Sequence, residues 1–114
     1  MDHIGFALPV HPGKSADARA FLTALDGPRK EHYAASERVI GITKGLWFFQ
    51  ETPNGDLIVA YLESADFGKA LGMFAQSTEA FDVWFKGQLA AVTGVDLNTP
   101  PPGTLSELLS HYEA

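Results

Sequence analysis

Four polar side chains stand at positions from which a β-sheet can gather them: His3, Gln50, Tyr61 and Glu63. A histidine beside a carboxylate takes and gives a proton near neutral pH. A tyrosine hydroxyl adds one donor and one acceptor. The elements that would position them are an N-terminal strand and a hairpin. Residues 45–51 and 57–63 read as two strands, and Asn54-Gly55 between them suits a tight two-residue turn because both residues tolerate positive φ. With that turn, Glu51 faces Ile58, Phe49 faces Ala60 and Trp47 faces Leu62 on one side of the sheet. Gln50 with Val59, Phe48 with Tyr61 and Leu46 with Glu63 occupy the other side. The first strand, over 3–10, points Ile4, Phe6, Leu8 and Val10 one way and His3, Gly5, Ala7 and Pro9 the other. With helices on the Ile4 side, His3, Gln50, Tyr61 and Glu63 surround an apolar floor of Phe48 and Val59, the composition of a small-molecule site. The same positions equally describe the rim of a dimer interface made by Phe48, Val59 and Tyr61.

A second polar group lies on one helical stripe. Arg29, His32, Tyr33 and Ser36 fall at i, i+3, i+4 and i+7, which either lines a cavity mouth able to hold an anion or forms a solvated helix face. Phe81, Trp84 and Phe85 fall at core spacing on a later helix, with a cofactor wall as the rarer use of such a stripe. The histidines at 3, 11, 32 and 111 make no metal-ligand spacing, and the chain has 0 Cys, so no metal site and no thiol chemistry are expected. No phosphate-binding glycine loop and no nucleophile elbow is present.

The hairpin is apolar on both faces, whereas a sheet with one wet face alternates apolar and polar residues. A single domain of 114 residues with two good helices covers one face, so a second copy of the chain or a ligand is expected on the other. Around the strands, Ser15 is placed to cap a helix carrying Ala18, Phe21, Leu22 and Leu25. Gly27-Pro28 breaks it, and a second helical segment is expected over 29–38. Asp66 is placed to cap a helix over 67–75, and Ser77 the helix bearing Phe81, Trp84, Phe85, Leu89 and Val92, which Gly94 ends. A short fourth strand is expected over 95–97. A stiff proline connector at 99–103 leads to a last helix over 104–113, opened by Thr104-x-x-Glu107. The order predicts one α+β domain, a ferredoxin-like βαββα(β) sandwich with a C-terminal helix, in which the strand at 57–62 is central.

Net charge −6, from 8 Lys+Arg against 14 Asp+Glu, argues against nucleic-acid or anionic-membrane partners. No apolar run approaches the roughly 18 residues of a spanning helix, and the N-terminus lacks the marks of a signal peptide, so a cytoplasmic location is expected.

Several segments together resemble a small uncharacterised bacterial family. They are the strand ending in Pro12-Gly13-Lys14, Trp47-Phe48-Phe49-Gln50, Gly55-Asp56, Tyr61-Leu62-Glu63 with Asp66, Phe81-Asp82-x-Trp84-Phe85, and Gly94-Val95-Asp96-Leu97. That family is similar to a branch of the dimeric α/β-barrel superfamily, and the likeness runs over roughly 3–97. The resemblance implies a homodimer of ferredoxin-like protomers, packed sheet against sheet around a cavity. Superfamily members include haem-degrading and quinone-forming monooxygenases and lactone isomerases; it implies no single reaction. Haem-degrading members use an asparagine, a tryptophan and a histidine. Here Trp84 has no histidine after it on its helix, and Asn54 and Asn98 lie in turn-like contexts, so no catalytic residue carries over. The expectation is a homodimer binding or transforming a small apolar or aromatic molecule without a cofactor, as a monooxygenase or isomerase if it is an enzyme. A non-catalytic dimeric module is the alternative, and haem binding a third.

Overall fold

Strands whose apolar residues recur at every second position bury one face, and helices with apolar residues three and four apart bury one stripe. The computed structural model describes residues 1–99 and 105–114 and joins these faces as the periodicities require. The elements are β1 (Asp2–Pro9), α1 (Ser15–Leu25), α2 (Lys30–Ile40), β2 (Ile42–Thr52), β3 (Gly55–Ser64), α3 (Phe67–Gln76) and α4 (Ala80–Thr93). The strands form an antiparallel sheet in the order β1-β3-β2. β3, the most continuously apolar strand, is therefore central. β1 and β2 both run against it and are parallel to each other, joined by the α1-α2 crossover. The fold is α+β and compatible with a ferredoxin-like arrangement. No helix of the described residues is long and apolar enough to cross a membrane.

One sheet face buries Ile4, Ile58, Ala60 and Leu62 under Phe21 of α1, Phe74 of α3 and Phe81, Phe85 and Leu89 of α4. Phe85 sits at the aromatic centre, its ring 5.0 Å from Phe21, 5.5 Å from Phe74 and 5.7 Å from Trp47. Trp84 lies at the rim beneath the Arg29 guanidinium, 4.2 Å from the ring centroid. The α4 aromatics thus serve the core.

Two ionisable side chains one turn apart on α4, Asp82 and Lys86, are buried in this core. Lys86 Nζ donates to the carbonyls of Phe74, Ala75 and Ser77 at 2.9, 3.2 and 3.0 Å, adding a donor at the end of α3, where the Phe74 carbonyl also accepts from the Ser77 N–H. Asp82 accepts from Ser77 Oγ at 2.5 Å and from the Ser36 hydroxyl of α2. Together they fasten α2, α3 and α4.

The structure corrects five expectations, among them the Ser77 cap: α4 follows Glu79 with no side-chain cap bond, and the Ser77 hydroxyl donates to Asp82 instead. The hairpin register differs by two residues: Phe49 pairs with Ile58, Phe48 with Val59, Leu46 with Tyr61 and Gln50 with Leu57. Pro53 and Asn54, not Asn54 and Gly55, make the turn, because the fixed φ of proline suits the first turn position and its missing N–H is best kept out of the ladder. Gly55 then takes φ 125°, and Thr52 Oγ1 accepts from the Asn54 N–H at 3.2 Å. Ser15 begins α1 with its hydroxyl donating to Asp56 at 2.5 Å, so it ties the helix to β3 without capping it. Residues 95–97 form no strand. Among the described residues of the expected C-terminal helix, 105–113, none is helical; Leu108, Leu109 and Tyr112 are exposed and offer no burial to hold a helix. The connector at 99–103 and the cap at Thr104 lie outside the described residues, apart from Thr99.

Candidate functional sites

The sheet face away from the helices carries His3, Gly5, Ala7, Leu46, Phe48, Gln50, Val59, Tyr61 and Glu63, since a shift of two residues leaves every side chain on its own side. Tyr61 and Glu63 are neighbours on this face of β3, and His3 pairs directly with Glu63 across β1. The Tyr61 hydroxyl donates to Glu63 Oε2 at 2.7 Å and lies 2.7 Å from His3 Nδ1. A hydroxyl has one proton, so with that proton on Glu63 it accepts from His3 Nδ1–H. In that tautomer of the imidazole, Nε2 is the acceptor nitrogen. The hydrogen bond to Glu63, then desolvation and the carboxylate charge, hold the Tyr61 hydroxyl above its ordinary pKa. The three groups form a short proton relay at one end of the sheet. Gln50 does not join it: opposite Leu57, it lies four residues along β2 from the Tyr61 partner Leu46, roughly 13 Å away. Phe48, 52% exposed, and Leu46, 45% exposed, leave an apolar patch beside the relay.

The α2 stripe divides. Arg29 stacks on Trp84, His32 is exposed, and the Ser36 hydroxyl turns to Asp82. Tyr33 points inward, where its hydroxyl accepts from Trp47 Nε1 at 2.8 Å. The four side chains converge on no common point.

Tyr33 leads instead to a second site. Between the sheet and the helices lies a cavity of about 430 Å³. Ile4, Phe6, Leu8 and Leu62 of the sheet, Leu71 and Phe74 of α3 and Leu89 of α4 are among its walls, and Trp47 and Glu37 line it too. Leu105 and Ser106 line it on the β1 side, where the Gly5 N–H donates to Ser106 Oγ at 3.0 Å. Of the described residues lining it, Glu37 alone carries an ionisable side chain.

Glu37 stands one turn after Tyr33 on α2, and the tyrosine hydroxyl interacts with its carboxylate. Burial, with a smaller contribution from Asp82, pushes the Glu37 carboxyl up to about 7, against a lowering by Tyr33. Desolvation, followed by the Glu37 charge, raises Tyr33 well above the ordinary range. Gly45 makes room for the pair: a Cβ there would lie 3.0 Å from the Tyr33 hydroxyl and 3.1 Å from Leu62 Cδ2. The arrangement can hold a polar head group against Glu37 or exchange a proton with one near neutral pH.

Glu37 was not among the residues that the sequence singled out. Its signal was present: Tyr33, Glu37 and Ile40 fall at i, i+4 and i+7, which places an acid on the inward stripe of a helix. No known protein family, no curated protein and no solved structure matches this chain.

Proposed function

We propose that this protein binds a small, largely apolar molecule in the cavity between its sheet and its helices, and that it works as a homodimer joined through the open sheet faces. The observation that carries the binding reading is the cavity itself. Protein interiors pack to crystal-like density and leave few voids larger than a water molecule, whereas ligand sites span roughly 300–1,000 Å³. A space of about 430 Å³ lined by apolar side chains and one acid lies in the second range. The dimer follows from the exposed Leu46 and Phe48 beside Val59 and Tyr61, an apolar surface whose burial stabilises association. This arrangement is that of the dimeric α/β barrels the sequence resembles. In it the His3–Tyr61–Glu63 relay sits at the rim of the interface.

Native mass spectrometry of freshly purified protein tests the reading. The expected result is a dimer that retains a small molecule, or that takes up an added apolar one with a change in Trp47 emission. A protein that holds none and takes up none, with Trp47 unchanged, refutes it. A non-catalytic dimeric module is the second reading, favoured by the same exposed patch, and a dimer without uptake supports it.

A further inference from the structure

The cavity has a chemical polarity that narrows its occupant. Its described walls are apolar side chains except at Glu37 and Ser106, and no lysine, arginine or histidine lies among them. Lys86, the buried cation nearest in sequence to those walls, has its ammonium on three carbonyls at the end of α3. Arg29 is stacked outside on Trp84. On α2, the charged and titratable groups facing Glu37 are Tyr33 and, across on α4, Asp82. The wall residues that the strands and α3 contribute carry no charge, and Trp47 donates its N–H to Tyr33.

An anionic head group placed here would meet a carboxyl, a second carboxylate behind it and no cation. An unpaired buried charge is costly, so such a ligand is rejected. A cationic or hydrogen-bond-donating head group meets the acceptor oxygens of Glu37, with Tyr33 and Trp47 steadying the carboxylate from the far side. We propose that the cavity takes a primary amine on an apolar body, its nitrogen paired with Glu37 and its hydrocarbon against Leu62, Leu71 and Phe74. The inference rests on the cavity being a ligand site. An alkylamine, with a pKa of roughly 10, stays protonated while Glu37 ionises from about 7, so at slightly acid pH binding expels one proton from the carboxyl to solvent. No covalent bond forms or breaks.

The test compares octylamine, octanol and octanoate, which share a body and differ in head group, by titration calorimetry on the full chain. Octylamine is expected to bind about tenfold or more tightly than octanol near pH 8, the increment of a charge-assisted hydrogen bond, and octanoate more weakly than either. At pH 6, octylamine binding is expected to release close to one proton, read from heats in buffers of different ionisation enthalpy. Glu37→Gln is expected to lower octylamine affinity about tenfold while octanol affinity stays within about twofold. Octanoate binding as tightly as octylamine overturns the amine assignment and leaves the cavity reading standing. Binding by none of the three overturns both. If Glu37→Gln fails to fold, the head-group order in the unaltered protein decides: octanol or octanoate binding as tightly as octylamine near pH 8 overturns the proposal.

Discussion

The Trp47 indole nitrogen donates to the Tyr33 hydroxyl at 2.8 Å, and that bond directs the remaining proton of Tyr33 away from β2. An indole donates only, so the tyrosine oxygen must accept, and its own hydrogen is left for Glu37. A strand residue thereby sets the hydrogen bonding of an acid on α2 through the tyrosine between them in the hydrogen-bond chain.

Stability is expected to fall as pH rises because of Glu37. Its folded pKa of about 7 exceeds the ordinary value of 4.5, so the folded chain holds a proton that the unfolded chain releases between those values. The contribution is complete below pH 4.5 and is lost as pH rises through 7. It amounts to at most about 3 kcal/mol. Urea midpoints across this range should decline in the natural chain relative to Glu37→Gln. Parallel profiles would show that the carboxyl titrates normally.

Gly45→Ala should disturb the Trp47–Tyr33–Glu37 hydrogen bonds. The added Cβ would lie 3.0 Å from the Tyr33 hydroxyl and 3.1 Å from Leu62 Cδ2, so one or both must move. The expected cost is about 1–3 kcal/mol, with a shifted Trp47 emission as its indole loses its acceptor. An unchanged emission maximum would mean that Tyr33 holds its place.

Lys86→Met keeps most of the buried volume and removes the ammonium. The Ala75 and Ser77 carbonyls then lose the lysine donor, while that of Phe74 keeps the Ser77 N–H. A destabilisation of about 2–3 kcal/mol is expected by denaturant unfolding, the cost of leaving buried acceptors unsatisfied. A loss under about 0.5 kcal/mol would show that water or the backbone replaces the lysine at little cost.

Tyr61→Glu should dissociate the proposed dimer. It sets a second carboxylate beside Glu63 within an apolar face and breaks the bond to His3. Sedimentation should show monomer where the natural chain shows dimer. An unaltered dimer would place the interface elsewhere.

The sequence disclosed the two sheet faces because a strand repeats every two residues, and a register displaced by two leaves Tyr61 and Glu63 where they were. It concealed the register itself, since Asn54-Gly55 advertises one turn while Pro53 enforces another. Gln50 was misplaced for that reason alone. Glu37 is hard to single out in sequence because the polar stripe from Arg29 to Ser36 dominates α2, and in the fold that stripe parts into a core tyrosine, a stacked arginine and an exposed histidine. The pattern of Leu105, Leu108, Leu109 and Tyr112 has helical spacing, but spacing alone does not hold a helix without a surface to bury it.

The lysine clamp at the end of α3 also bears on how fast a ligand exchanges. By tying α3 to α4 it makes one flank of the cavity a stiff wall that resists parting. The β1 edge is held among the described residues by the Gly5–Ser106 hydrogen bond, the Leu105 side chain and, at its start, Asp2 accepting from the Phe67 N–H of α3. Traffic is therefore expected through the β1 flank, and removing residues 105–114 should shorten the residence of an occupant more than any change on α4.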